Sequence, residues 1–468
     1  MNDDGAILIT NGTLIDGSGG SPRAAMSVLV ERGRISAVAP AAELGGAAAA
    51  RVIDASGKWL IPGLIDMHVH VMLSGGEDAL FAWLGCGITT IRDVGGAPDF
   101  MLPLREAVAS GEKTGPRIVT YGPMLDGSPP IFGGGRRGPT LPGAAELTWI
   151  LEDESDVDRA CDDLIARGVD GFKLYAGLRP DLLTAFIRRV DGRVPVTGHL
   201  SRTWASEAIE AGINCLEHVH ATVYQDVVRP EHRHPREEGN GFIPNYWTWL
   251  NTGWAEADLD ADYVNRFVDL LVSRRVALSP TTVLITGGMA TREALDEPGL
   301  KYTPKALAER RRQQQEMMQR MREEAERSGR PMPPVAQGDP EVGARARENE
   351  LRFLRKVYDA GGILVPSTDT GAAPNQVPGF ALHRELALFS EAGIPNAKVI
   401  EMATSVAARV LRRDHDYGTI SPGKRADLLI LGGDPIADIG NTRKVELVIK
   451  DGRPYEPQPL LERAVAGA

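Results

Sequence analysis

Pro62-Gly63-Leu64-Ile65-Asp66-Met67-His68-Val69-His70 is the stretch on which the reading of this chain turns. An apolar run, Trp59-Leu60-Ile61, enters a Pro-Gly turn, and Leu64, Ile65, Met67 and Val69 then predict a buried strand. Side chains on a strand alternate faces with a period of two, so His68 and His70 point one way and Val69 the other. Two neutral imidazoles converging from one strand end can hold a divalent metal. A bare His-x-His is more often a pair of ordinary histidines, and what shifts the balance lies further along the chain.

From Leu64 onward, strands and helices alternate. Ile88 to Asp93, Arg117 to Tyr121, Gly171 to Tyr175, Val194 to His199, Ile213 to His218, Val276 to Thr281 and Ile363 to Asp369 read as buried strands. Between them lie helical segments such as Asp156 to Arg167, Pro180 to Val190 and Thr203 to Ala211. With the strand at His68 there are eight, which predicts a parallel sheet closed into a (β/α)8 TIM barrel. Catalytic residues of such barrels sit at the C-terminal strand ends. Here those ends carry His68 and His70, then Lys173, His199, His218 and Asp369. Lys173 follows His70 by about three units of ~31 residues, and His199 and His218 each follow by one. The step to Asp369 is longer and must contain insertions. Residues 219–255, with Tyr224, Trp247, Trp249 and Trp254, and residues 287–350, with a charged helix from Lys305 to Arg327, are those insertions. Both follow strands, so both are expected over the mouth of the site as lids.

The ends of the chain differ in kind. Ala6 to Ile15, Met26 to Glu31, Ile35 to Val38 and Arg51 to Ile53 are short aliphatic strands parted by turn signals such as Asn11-Gly12 and Ser56-Gly57. Gly418 to Leu431 and Val445 to Ile449 repeat the pattern, and neither end buries a core alone. The expected architecture is therefore a barrel over 63–414 with a small β-sandwich built from 1–62 and 415–468.

Bulk properties narrow the partners. At 468 residues, with 43% hydrophobic and 25% charged residues, the composition is that of a soluble globular protein. A net charge of −11 argues against a nucleic-acid partner, and no apolar run approaches the ~20 residues of a membrane helix. The acidic start, Met1-Asn2-Asp3-Asp4, lacks the basic and apolar regions of a signal peptide, which points to the cytoplasm. Cys86, Cys161 and Cys215 are too scattered for a disulfide framework or a cysteine metal motif, and are read as reduced and buried. A small-molecule substrate and a homo-oligomer are expected, with no nucleic acid and no membrane.

The strand-end set resembles the binuclear amidohydrolase superfamily over nearly the whole chain. Its carriers are the Pro62–His70 stretch, Phe172-Lys-Leu-Tyr, Gly198-His-Leu, Glu217-His, Ser367-Thr-Asp-Thr-Gly and the tail from Gly418 to Leu428. The resemblance implies that His68, His70 and Asp369 hold one divalent metal and His199 and His218 the other, zinc being the first choice. It also implies that Lys173, as a carbamate formed with carbon dioxide, bridges the two. A hydroxide between the metals would attack the substrate, and Asp369 would carry its proton to the leaving group. Within the superfamily, the segment from Gly171 to Glu217 and the run His383 to Gly393 look most like the prolidase and imidazolonepropionase-like amidohydrolases. Lys173 speaks against imidazolonepropionase itself, which is mononuclear.

The implied activity is hydrolysis of an amide bond in a dipeptide or N-acyl amino acid. Hydrolysis of a lactone or phosphotriester by the same centre remains a rival, and a non-catalytic barrel relative is a reading of another class. Substrate contacts are less legible. A carboxylate-bearing substrate favours a fixed arginine, for which Arg136 and Arg137 in a Gly-rich loop are candidates, or are simply solvated. His220 and Tyr224 follow the sixth strand, and His383 is either near the site or a helix cap. The aromatics at 246–254 line an apolar pocket or anchor the lid.

Overall fold

The computed structural model describes residues 5–44, 47, 49–128, 130, 147–234, 246–286, 298–328, 339–373 and 376–467. Arg136 and Arg137 lie outside them. The N-terminal strands are β1 (Ile7–Leu14), β2 (Arg23–Glu31), β3 (Arg34–Pro40), β4 (Arg51–Asp54) and β5 (Trp59–Pro62). The central strands are β6 (Leu64–Val69), β7 (Ile88–Asp93), β8 (Arg117–Thr120), β9 (Met124–Asp126), β10 (Thr148–Ile150), β11 (Phe172–Leu174), β12 (Val196–Gly198), β13 (Cys215–Glu217), β14 (Ala277–Ser279) and β15 (Ile363–Leu364). The chain ends with β16 (Leu428–Leu431), β17 (Val445–Lys450) and β18 (Arg453–Tyr455).

Both ends of the chain join in one eight-stranded mixed sheet, ordered β18-β17-β16-β5-β1-β2-β3, with β4 beside the first half of β1. Its joint is the antiparallel pairing of β5 with β16, Leu60 facing Ile430. Ile9, Leu14, Val28, Leu60, Leu428 and Ile449 form a single apolar cluster on this sheet. Pro62-Gly63 then carries the chain directly from β5 into β6. A Cβ on Gly63 would lie 2.1 Å from Thr89 Oγ1, so only glycine fits this joint.

The middle is α/β and parallel. β6, β7 and β8 form one parallel sheet; β10-β9-β11-β12-β13-β14-β15 form another. β6 and β7 are buried at every residue, as strands covered on both faces must be. Hydrogen bonds cross the two gaps between the sheets. Asp170 N donates to Thr120 O at 2.8 Å on one side, and Asp369 N to His68 O at 2.8 Å and His70 N to Thr370 O at 2.9 Å on the other. All eight expected central strands occur. The third is broken at Gly122 (φ 68°), and its continuation β9 pairs with β11, a step the sequence pattern did not reveal.

Helices fall where the caps place them. In Glu154–Arg167, Asp153 at the N-terminus accepts from Ser155 N at 2.8 Å, and Gly168 closes the end with φ 83°. The insertions contribute Tyr246–Ala255, Lys305–Ser328 and Pro340–Asp359. The first is pinned by Trp254 Nε1 donating to His220 O at 2.9 Å and by Tyr224 OH donating to Trp249 O at 3.1 Å. The second reaches the same strand ends through Arg310, which donates to Leu73 O at 2.8 Å and to Gly371 O. Cys86, Cys161 and Cys215 are free and buried, as read from the sequence. No helix among the described residues is long and apolar enough to cross a membrane.

One buried carboxyl lacks compensation. Glu350, on Pro340–Asp359, is 1% exposed, its Oε2 has no partner among the described residues, and burial pushes its pKa well above the usual range. Between the ordinary and the raised pKa the unfolded chain is ionised while the folded chain keeps its proton, so stability falls as pH rises, by at most ~1.4 kcal/mol per unit. Glu350→Gln is expected to raise Tm at pH 8 and to leave it nearly unchanged at pH 4. Melts at both values check this; an equal gain at both would trace the cost to shape and not to charge.

Candidate metal centre

The period of two on β6 delivers His68 and His70 to one place, their ring centroids 5.3 Å apart. The segment after β15 brings Asp369 against them, with Oδ1 3.2 Å from His68 Nε2 and 3.0 Å from His70 Nε2. His218, directly after β13, lies 4.6 Å from the His68 ring and 4.3 Å from the ring of His199, which follows β12. Donor atoms of His68, His218 and Asp369 fall within 4.8 Å of one another. Lys173, in β11, is wholly buried, and its charge is felt by His199 and His218. The six strand-end residues singled out from the sequence therefore gather at one site.

Three of the turns that build it are unusual in their backbone. His218 (φ 58°), Thr281 (φ 51°) and Asp369 (φ 55°) all occupy the left-handed region, which non-glycine residues seldom enter. Strain of this kind persists where surrounding structure over-determines it, and functional sites are where it concentrates. At His218 it breaks the alternation of β13, so that Glu217 and His218 both turn toward His68.

That break explains what sequence reasoning missed. Glu217 Oε2 lies 2.7 Å from His68 Nδ1, and Oε1 accepts from Arg92 Nη2 at 2.6 Å and from Thr197 Oγ1. Burial would raise the Glu217 pKa, but Arg92, His68 and Lys173 outweigh it and hold the carboxyl well below its usual range. An ionised carboxylate only accepts, so His68 carries its proton on Nδ1 and presents the Nε2 lone pair to the cluster. Thr281 Oγ1 does the same for His218. It donates to Pro280 O at 2.7 Å and so receives the Nδ1 proton at 2.8 Å. Asp66 braces the centre from below. Its carboxyl accepts from Thr368 Oγ1 at 2.8 Å and is pushed up to about 7, chiefly by burial. The only sequence signal for this layer was a charged residue, Arg92, inside an apolar strand, which is costly unless paired.

The donor set fits a metal. His68 Nε2, Asp369 Oδ1 and Lys173 Nζ are buried without a hydrogen-bond partner among the described residues, an arrangement that is expensive unless something else engages them. Burial, opposed by Glu217 and Asp369, brings the Lys173 pKa down to about 8, within reach of the neutral amine.

The remaining candidates separate. His220 stays close, its ring 5.6 Å from that of His218. Tyr224 is 1% exposed beneath Tyr246–Ala255, where its hydroxyl is spent on Trp249 O. His383 is not brought to the cluster. Nδ1 lies 3.0 Å from Thr442 Oγ1 and Nε2 2.9 Å from Cys86 O, at the junction of central and end-sheet segments.

Imidazoles, a carboxylate and a buried amine gathered at the C-terminal ends of parallel strands form a site that could hold a metal ion. The Amidohydrolase family model matches residues 59–454, and the chain belongs to that family. A dihydroorotase from Trichlorobacter lovleyi is 44% identical over 71 residues, a match spanning 15% of this chain and 16% of that protein's length. Two solved structures are similar over almost everything. A Xaa-Pro dipeptidase with methionine bound in its active site has a TM-score of 0.66 at 21% identity, covering 96% of this chain and 100% of the other. Molinate hydrolase also has a TM-score of 0.66 at 21% identity, covering 98% and 96%. At that identity the likeness fixes the fold and nothing finer.

Glu217 is expected to act on metal affinity through His68. Loss of such a partner typically costs ~10–100-fold. Glu217→Gln should therefore weaken binding of a divalent ion such as zinc by that factor in a chelator competition. Thr281→Val, which removes a neutral acceptor from His218, should weaken it less. Unchanged affinity in a folded Glu217→Gln protein would remove Glu217 from any role in holding the site.

Proposed function

We propose that this protein is a metal-dependent hydrolase that cleaves an amide bond in a dipeptide or N-acyl amino acid. The observation that carries this reading is Lys173. It is a wholly buried amine without a hydrogen-bond partner among the described residues, close enough to His199, His218 and Asp369 for charge to be felt between them. In the proposed centre the neutral amine adds carbon dioxide, a nitrogen–carbon bond forms and a proton leaves, giving a carbamate that acts as a carboxylate. His68, His70 and Asp369 would hold one divalent ion, His199 and His218 the other, with the Lys173 carbamate between them; the nitrogen-rich donor set favours zinc. Bound there, the ions would polarise a carbonyl oxygen and lower the pKa of a water.

The chain's own residues do the rest. Asp369 is fixed by the Asp369 N–His68 O bond and by its strained φ, and is proposed to take the water's proton and pass it to the leaving nitrogen. The Xaa-Pro dipeptidase among the similar structures supports a peptide-like amide as substrate. In the same reading the two parallel sheets are arcs of one (β/α)8 barrel over 63–414, supported by the bonds across both gaps. The end sheet, from 1–62 and 415–468, is then a sandwich folded around its apolar cluster. A homo-oligomer in the cytoplasm acting on a small molecule completes the proposal.

Elemental analysis of the purified protein is expected to give about two zinc-like ions per chain. Lys173→Ala should lose activity and regain part of it with added short carboxylates. One ion per chain, together with an unchanged Lys173→Ala variant, would overturn the binuclear reading.

Asp369→Asn keeps the shape and one oxygen donor but removes the proton acceptor. Its kcat on a dipeptide or N-acyl amino acid should fall ~10²–10⁴-fold, with KM changing much less. A fully metallated Asp369→Asn protein within about threefold of wild type would exclude Asp369 as the proton carrier.

A further inference from the structure

The three described tryptophans of Tyr246–Ala255 have separate fates. Trp254 is fully buried, donates from Nε1 to His220 O at 2.9 Å and packs edge-on against Phe353. Trp249 lies with its ring 4.2 Å from that of Tyr224 and accepts the tyrosine hydroxyl on its backbone oxygen. Both are anchors. Trp247 is different: it is 40% exposed, and its ring lies 5.6 Å from His220 at a tilt of only 32°.

Trp247 and Trp254 stand two helical turns apart, so one helix face grips His220 twice, by its backbone oxygen and across its ring. The grip holds the Trp247 ring at the end of a series of neighbouring rings, His68, His218 and His220, with centroid steps of 4.6, 5.6 and 5.6 Å. A single exposed indole needs no explanation by itself. His220 supplies a second observation. It is 5% exposed, and its Nδ1 has no partner among the described residues. A buried ring nitrogen left unmatched two residues from the cluster calls for a hydrogen-bonding group of a ligand.

We infer that Trp247 and His220 form a subsite for a flat, uncharged aromatic ring on the substrate, with a carbonyl or carboxylate beside the ring meeting His220 Nδ1. The inference rests on the proposed amide hydrolysis only for the direction in which the substrate lies. Offset stacking on an indole favours fused or substituted aryl groups over small aliphatic ones, because it adds to apolar burial. The amino-acid side of the substrate remains with the strand ends; the acyl side takes the ring.

Metal-loaded protein and two substrates of one scaffold, N-(2-naphthoyl)glycine and N-acetylglycine, test this. The ratio of their kcat/KM values should favour the naphthoyl compound, fall about tenfold or more in Trp247→Ala and return largely in Trp247→Phe. An unchanged ratio in Trp247→Ala overturns the subsite. If wild type hydrolyses neither compound, the N-acyl amino acid reading fails, and calorimetric titration of naphthoylglycine into the same proteins decides the subsite separately. Affinity that drops about tenfold in Trp247→Ala supports it; equal affinity in wild type and variant overturns it.

Discussion

Arg92 and Glu217 form a wholly buried ion pair at 2.6 Å, and the geometry of the centre hangs from it. Such a pair gains little over an apolar substitute, yet removing one partner typically costs ~3–5 kcal/mol because the other charge is stranded. What the pair supplies here is a fixed negative charge against His68 Nδ1. Arg92 also donates from Nε to Met67 O at 2.5 Å, so it ties the strand that carries the histidine as well as the carboxylate that orients it. His218 leans instead on a neutral hydroxyl, Thr281. The two histidines at the heart of the cluster are thus held by partners of different strength, one charged and one not.

The two insertions are held unequally too. Tyr246–Ala255 is bound through buried side chains, Trp254 and Tyr224 above all, and behaves as part of the wall. Lys305–Ser328 touches the rest of the protein near its start. Leu307 is its only buried residue among those described, Arg310 clasps carbonyls of the loops after β6 and β15, and Lys305 Nζ reaches Ala466 O at 2.6 Å. Further along, its ion pairs, such as Arg312 with Glu309 and Glu316, are internal to the helix and exposed. Pairs of that kind hold a helix together without docking it.

Much of this was legible in the sequence, for reasons that can be named. Strands buried on both faces write themselves as apolar runs, and the residue that interrupts such a run at its C-terminal end stands out: His68, Lys173, His199, His218 and Asp369 were found that way. Glu217 was quoted only as a neighbour of His218, because alternation assigns adjacent residues to opposite faces; the positive φ of His218 cancels that rule and no residue type announces it. His383 was left between two readings for the opposite reason. A histidine near a catalytic strand suggests chemistry, but its two ring nitrogens bond Cys86 O and Thr442 Oγ1, which are brought to it from distant parts of the chain. Tyr224 and Trp254 could not be told from pocket residues until the helix they anchor was placed. The break of the third central strand at Gly122 depends on one dihedral, which sequence periodicity does not see.

The pairing of β5 with β16 has a consequence for how the protein comes into being. β5 leaves the ribosome long before β16, so that one of its two partners, β1, is made ahead of it and the other far behind. Arg117 at the start of β8 waits as long for Asp427 and Asp451, both of which it meets at 2.6 Å. An open aliphatic strand edge of this kind invites pairing with other nascent chains. Biosynthesis therefore leaves Leu60 and Ile61 on an open strand edge until β16 arrives.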